Sequence, residues 1–301
     1  GFTVDNDDGF AQGTDSRLEA TLPENGTYSI LATSFAPGAT GRYTVQLTEG
    51  TSAQQNARGR VFAILAGITD YTDASVLPYC AEDAVKLHET LGATGIMADQ
   101  SIVLTNGQVT RANLERAFRS VASAAGPEDV FMFFFSGHGA TLPSDAEFDG
   151  TDETLYLMDG HVTDDEVAGW FDAVQARIGV ITLDSCYAGG FARDVISRPN
   201  RMGIFSSEED VTSNVAERFQ AGGYLSHFMR SGLAGDADSD PRDGIITVGE
   251  LTQYLHRQWA QHDVTNQMST TAEAAGAYQH LVIDRGSVKV TDVLIYNGQA
   301  R

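Results

Sequence analysis

Apolar residues fall into short unbroken runs separated by amphipathic stretches. Val61-Phe-Ala-Ile-Leu-Ala-Gly-Ile68, Asp129-Val-Phe-Met-Phe-Phe-Phe135 and Val180-Ile-Thr-Leu183 are the strongest runs. Their length and their β-branched and aromatic content predict strands buried on both faces. Ser101–Leu104, Leu155–Met158, Arg201–Ser206 and His280–Ile283 read as further strands. Between them the pattern becomes helical. Cys80–Leu91 puts Ala84, Leu87 and Leu91 on one stripe, and Thr110 caps a helix that turns Leu114, Ala117, Phe118 and Val121 inward and ends near Ser123. Thr163-Asp-Asp-Glu166 reads as a capping box opening another helix, and Gly223–Leu233 and Val248–Trp259 read as two more. Strands alternating with helices predict an α/β fold, a largely parallel sheet covered by helices on both faces.

Residues 1–50 break this pattern. Arg17–Leu22, Thr27–Thr33 and Tyr43–Thr48 alternate as short strands, with turn chemistry at Pro23–Gly26 and Ala36–Gly41 between them. This predicts a small N-terminal all-β module, joined by a polar linker at 51–60 to an α/β domain at 61–285, with a C-terminal extension at 286–301.

Composition narrows the partners. Of the 301 residues 42% are hydrophobic and 20% charged, as in an ordinary soluble protein with its own core. Lys+Arg number 19 and Asp+Glu 41, a net charge of −22, which excludes nucleic acid and anionic lipid as partners and favours basic ones. No apolar run approaches the ~20 residues of a membrane span. The chain begins at Gly1 rather than Met, so a preceding segment is expected. Two cysteines, Cys80 and Cys186, exclude a disulfide framework and leave at most one bridge.

The chemistry gathers at two strand ends. The 180–183 run leads into Asp184-Ser-Cys186 and then a small-residue turn, and the 129–135 run ends in Ser136-Gly-His-Gly139. Open α/β sheets place reactive groups at the carboxyl ends of strands, so neighbouring strands would bring His138 beside Cys186. Imidazole can take the thiol proton and later protonate a leaving amine. The Gly139 and Cys186 N–H groups would face a developing oxyanion. The alternatives are a core cysteine with a structurally satisfied histidine, or a Cys80–Cys186 disulfide. A second run, Asp236–Glu250, resembles an EF-hand loop, but Gly244 and Glu250 lie too far from Asp236 for a twelve-residue loop, and an acidic helix-capping loop is expected instead.

Phe135-Ser-Gly-His-Gly139, Asp184-Ser-Cys-Tyr-Ala-Gly189, Leu77-Pro-Tyr-Cys-Ala-Glu-Asp-Ala84 and the acidic stretches Asp149–Glu153 and Thr163–Glu166 together resemble the caspase-like peptidases of clan CD, and among them the metacaspases and orthocaspases. The resemblance covers about Arg60 to His256, and the 48-residue spacing from His138 to Cys186 is similar to that of caspases. It implies a caspase-like three-layer α/β/α sandwich with a mostly parallel six-stranded sheet. It also implies a cysteine endopeptidase with a Cys186/His138 dyad that cuts after Arg or Lys. By the same resemblance Asp184 and Asp83 hold the basic side chain, and Ser136 and Cys80 line that pocket. Many members use an acidic cluster to bind calcium. Asp149, Asp152, Asp164 and Asp165 match its region, while its downstream acid has no clear match and Arg193 and Asp194 stand roughly there. No cofactor is expected to be required, and Ca2+ is the candidate ligand. Self-cleavage would fall at Arg58 or Arg60, or at Arg193, Arg198 or Arg201. A catalytically silent scaffold binding basic protein tails, or a peptidase cutting after Asn or Asp, are the competing readings.

Asp15-Ser-Arg-Leu18, Gly26-Thr-Tyr-Ser-Ile30 and Gly41-Arg-Tyr-Thr-Val45 resemble the latter half of the bacterial pre-peptidase C-terminal domain, a β-sandwich attached to secreted peptidases. That likeness implies a secreted or periplasmic protein. The expectation is a monomer acting on basic proteins or peptides.

Overall fold

The computed structural model describes residues 59–145, 150–239, 242–265 and 279–296, with Thr27 and Ser29. The predicted β module and nearly all of the linker lie outside the described residues. Residues 52–301 form one compact unit.

Its centre is a six-stranded sheet of order β10-β8-β7-β3-β1-β2, built from β1 (Val61–Gly67), β2 (Ile102–Thr105), β3 (Val130–Ser136), β7 (Ile178–Asp184), β8 (Arg201–Phe205) and β10 (Val282–Asp284). All neighbours are parallel except β10, which runs antiparallel to β8 at the edge. The continuous apolar runs take the middle positions because every residue of β1, β3 and β7 is buried.

Side-chain alternation divides the interior into two cores. Val61, Ala63, Leu65, Val130, Met132, Phe134 and Val180 face one way, toward the helices Cys80–Ala93, Tyr224–Ser231 and Val248–Gln261. Phe62, Ile64, Phe131, Phe133, Phe135, Ile181 and Leu183 face the other, toward the helices Arg111–Ala122 and Asp164–Asp172. On that second side Phe118 is ringed by Phe131, Phe133, Trp170 and Phe171 at centroid distances of 5.2–5.5 Å. The result is the expected three-layer α/β/α sandwich. Thr110 caps its helix through the Asn113 N–H, and Thr163 and Glu166 form the predicted capping box.

Two parts of the structure differ from the sequence reading. Leu155–Met158 belongs to a longer strand, β5 (Thr151–Leu157), which pairs antiparallel with β4 (Gly139–Pro143) and β6 (Gly160–Thr163) in a separate three-stranded sheet. β4 and β6 are short and largely half-exposed, so no apolar run announces them, and in β5 only the Leu155–Leu157 end is apolar. The segment from 286 onward does not stand outside the domain as an extension. β11 (Val293–Tyr296) pairs with β9 (Ile245–Thr247), and Leu294 and Ile295 are buried in the first core. Among the described residues no helix is long and apolar enough to cross a membrane.

Candidate active site

The register between β3 and β7 sets Ser136 opposite Asp184, and the Gly137 N–H donates to the Asp184 carbonyl at 3.3 Å. His138 and Cys186 therefore leave the sheet side by side, each two residues past the last pair. Gly139 then passes so close to Cys186 that a Cβ there would collide with the Cys186 carbonyl. Tyr187, which follows the cysteine, sits in the left-handed region at φ 57°, a non-glycine strain of the kind that sharp functional turns hold.

The imidazole is held by the loop after β1. His138 Nε2 lies 2.8 Å from the Ser75 carbonyl oxygen and 3.3 Å from its hydroxyl. A carbonyl can only accept, so Nε2 is the donating nitrogen, and in the neutral ring the lone pair then sits on Nδ1. That tautomer is the one a general base needs. The loop is itself anchored, since Asn106 Oδ1 accepts the N–H groups of Thr69 and Asp70 at 2.8 and 3.1 Å.

The thiol faces the segment after β8. Cys186 Sγ accepts the Ser213 N–H at 3.3 Å. Burial pushes the Cys186 thiol up from its ordinary value, Ser213 opposes that, and the nearby Asp184 charge adds to it. Gln279, buried, fixes this segment by donating to Ser213 Oγ and to the Ser206 carbonyl and by accepting the Asn214 N–H. Cys80 and Cys186 are both free thiols.

Asp83 and Asp184 come together below these strand ends, on the side of the first core. Asp83 accepts the Gly222 N–H at 2.7 Å, and Asp184 accepts the Ser226 N–H at 2.7 Å, capping the helix that begins at Tyr224. Burial pushes the Asp83 carboxyl up to about 7, with the Asp184 charge adding to the rise, and burial raises Asp184 as well. Ser136 and Cys80 are buried beside them, and burial raises the Cys80 thiol. Among the described residues no Lys or Arg forms an ion pair with either carboxyl. Gly222 and Gly223 pack on the pair, and a Cβ on Gly223 would collide with the Asp184 carboxylate.

The acidic cluster lies on the other side of the cysteine turn. Asp164 is 2% exposed, and burial together with a hydrogen bond to the Asp152 carboxyl pushes it up to about 9. Asp194 joins them, also raised by burial, with Asp165 beside it. Asp152 Oδ1 is buried without a hydrogen-bond partner. Asp149 lies outside the described residues. Among the described residues no group of three or more His, Cys, Asp or Glu side chains is arranged so that it could hold a metal ion. The Asp236–Glu250 run behaves as a capping loop. Glu250 caps the helix at Thr247, and Asp238 accepts the N–H groups of Asp243 and Gly244.

Sequence reasoning missed Ser75, Ser213, Gly222 and Ser226, whose parts are played by backbone groups. Asp194 carried a signal, an acid soon after the cysteine, but no spacing rule selected it.

The caspase domain family model matches residues 60–277. Metacaspase-1A of Aspergillus niger is 30% identical over 171 residues, 52% of this chain and 41% of that protein. Metacaspase-1 of Ajellomyces capsulatus is 28% identical over 255 residues, 79% of this chain and 65% of that protein. The chain thus spans less than two thirds of the length of these curated relatives. Caspase-1 from Spodoptera frugiperda aligns with a TM-score of 0.54 at 14% identity, over 81% of this chain and 92% of that one. A Geobacter sulfurreducens protein aligns with a TM-score of 0.53 at 18% identity, over 78% of this chain and 99% of that one. Two apolar strands carrying a histidine and a cysteine to one rim of a six-stranded sheet agree with these likenesses, and the chain belongs to the caspase domain family.

Proposed function

We propose that this chain is a cysteine endopeptidase that hydrolyses peptide bonds on the carboxyl side of Arg or Lys. The observation that carries the specificity is the Asp83–Asp184 pair, two buried carboxyls whose partners are uncharged N–H and serine hydroxyl groups, with no Lys or Arg among the described residues in an ion pair with them. Buried carboxylates are costly until a cation joins them, and a substrate guanidinium or ammonium would supply it. An Asp side chain would bring a further carboxyl to a pair already raised by burial, and in Asp83 also by the Asp184 charge.

In this reading His138 Nδ1 takes the Cys186 thiol proton as sulfur attacks the scissile carbonyl carbon. The Gly139 and Cys186 N–H groups receive the oxyanion. Gly139 suits this role because the Tyr156 N–H bonds the His138 carbonyl, which leaves Gly139 at a position whose N–H turns away from β5. The tetrahedral adduct collapses as the imidazolium returns its proton to the departing amine. Water, deprotonated by the same imidazole, then hydrolyses the thioester and releases the acid.

Asp152, Asp164, Asp165 and Asp194 supply the donors that a hard divalent cation of the calcium type takes, and such a cation would have to draw them in around it. The donors are carboxylate oxygens, and Asp152 Oδ1 has no competing partner. A cation held there would neutralise carboxyls that now crowd one another. It would also tie the start of β5 to the short helix Ala192–Val195 beyond the cysteine turn.

Self-processing within the fold has little to work on. Arg193 is held by Glu209 at 2.7 and 2.8 Å, Arg198 precedes Pro199, and Arg201 is buried against Asp172. The Arg60 carbonyl accepts the Val130 N–H, and the Val61 N–H is bound to Ile96, so the Arg60–Val61 bond is locked into the sheet. Arg58 lies outside the described residues and is the remaining candidate. The same reading takes the protein as an exported monomer, with export resting on the likeness of residues 1–50 to the β module of secreted peptidases.

A panel of fluorogenic peptides differing only at the residue before the scissile bond tests this. Arg and Lys peptides should be cut and Asp and Asn peptides left, with a higher rate in calcium than in chelator. Faster cleavage of Asp peptides would overturn the specificity, and identical rates and melting temperature in calcium and chelator would remove the cation site.

A further inference from the structure

We propose that Tyr71 is a positioning residue for the histidine, its hydroxyl inserted into the β4–β5 ladder so as to set where the His138 backbone leaves the sheet. The inference rests on the peptidase reading above.

An antiparallel pair normally exchanges two direct backbone bonds. At His138 and Tyr156 only one is direct, from the Tyr156 N–H to the His138 carbonyl at 3.0 Å. In place of the other, the His138 N–H donates to the Tyr71 hydroxyl at 2.8 Å, and that hydroxyl donates to the Tyr156 carbonyl at 3.0 Å. One oxygen thus wedges the two strands apart at the residue that carries the imidazole.

The ring adds to the effect. Tyr71 lies 4.7 Å from the His138 ring and stacks on Tyr156 at 5.6 Å with only 4° between the planes. It is 8% exposed, so little water competes for the bridge. Gly137 leaves the space the hydroxyl needs, since a Cβ there would stand 2.5 Å from it. The first glycine of Ser136-Gly-His-Gly139 is thereby explained by Tyr71 and the second by Cys186. Ser75 of the same loop holds the imidazole at Nε2, so residues 69–77 fix His138 at its backbone and at its ring tip.

Without the hydroxyl, the His138 N–H and the Tyr156 carbonyl would close directly. That draws His138 toward β5 and changes its distance to Cys186. Displacements of about 1 Å at reacting groups cost up to ~10²-fold in rate. Among the described residues the Asp83 and Asp184 carboxyls form their hydrogen bonds with the 213–226 segment and Ser206 rather than with Tyr71 or the β4–β5 pair, so substrate binding should not follow.

The test is Tyr71→Phe, which keeps the ring. The expected result on an Arg peptide is a kcat lowered about 10- to 100-fold, with KM and the melting temperature near wild type. Gly137→Ala, which crowds the hydroxyl and also the buried Phe135 ring, should lower kcat at least as far and lower the melting temperature as well. Wild-type kcat in Tyr71→Phe, or kcat and KM failing together in that variant with a lowered melting temperature, would overturn the proposal. Nuclear magnetic resonance of the His138 amide and imidazole nitrogens separates this idea from the peptidase reading. If wild type cuts no peptide, it is that reading that fails. A changed His138 amide and ring signal in Tyr71→Phe would still support the bridge, and unchanged signals would sink it.

Discussion

Cys186→Ala is expected to abolish peptide hydrolysis, lowering kcat by at least ~10⁴-fold, because a covalent step has no substitute once its nucleophile is gone. His138→Ala should fall nearly as far, and the double variant hardly further, since the two groups act as one unit. The fold should tolerate both changes. The Cys186 side chain leaves the sheet at its rim and is only partly buried, and among the described residues its side-chain hydrogen bonds are to Ser213. Melting temperatures near wild type are therefore part of the prediction. Mass spectrometry of the same proteins reads maturation. If the chain cleaves itself, new N-termini appear in wild type and not in Cys186→Ala. Burial raises the thiol, so wild-type Cys186 should react with iodoacetamide slowly at neutral pH and faster as pH rises. Full hydrolytic activity in Cys186→Ala would end the reading of Cys186 as nucleophile, whereas a wild type that binds basic peptides and cuts none would leave the catalytically silent scaffold in its place.

Asp184→Asn should separate activity from stability in opposite directions. The substrate cation loses a buried partner, worth roughly 2–5 kcal/mol, so kcat/KM for Arg peptides should drop by ~10²-fold or more. The same change should stabilise the free protein at neutral pH. Asn can still accept the Ser226 N–H, and the charge that burial penalises is gone. The sign follows from linkage. The folded carboxyls titrate above their unfolded values, so between the two values the native state keeps protons that the unfolded chain has lost. Stability then falls as pH rises through that window and stays lower above it. For Asp83 the window runs from about 4, the unfolded value, to about 7 in the folded protein. The variant should gain ~0.5–2 kcal/mol over wild type at pH 8 and lose that advantage near pH 4. Chemical denaturation at the two pH values measures it. A destabilised Asp184→Asn, or one that still cuts Arg peptides at the wild-type rate, would show the pair to be a helix cap and nothing more.

The same pair gives the wild-type enzyme a pH dependence of its own. Binding a guanidinium favours ionised carboxylates, so kcat/KM for basic peptides should rise with pH as Asp83 loses its proton near 7.

The parts of this protein legible in its sequence are those whose signal is local. Val61–Ile68, Val130–Phe135 and Val180–Leu183 had to be buried strands, because uninterrupted apolar runs of that length have nowhere else to go. Parallel packing brings the residues after Ser136 and Asp184 to one rim, so His138 and Cys186 are neighbours once their strands are adjacent, and that adjacency is given by the sheet order. The helices at Arg111 and Asp164 were legible because Thr110 and Thr163 cap them with side chains. Tertiary structure alone decided how those groups are held. Tyr71 and Ser75 hold His138, Ser213 reaches the thiol, Gly222 and Ser226 bind the two carboxyls, and Asp194 joins Asp164. Most of these partners are backbone N–H and C=O groups from loops far away in the chain. Every residue carries such groups, so no residue type marks the ones that will be used, and only the folded path of the loops selects them. The polar strands β4 and β6, and β11 with its distant partner β9, escaped for a related reason, since pairing across the fold rather than local apolar pattern makes them strands.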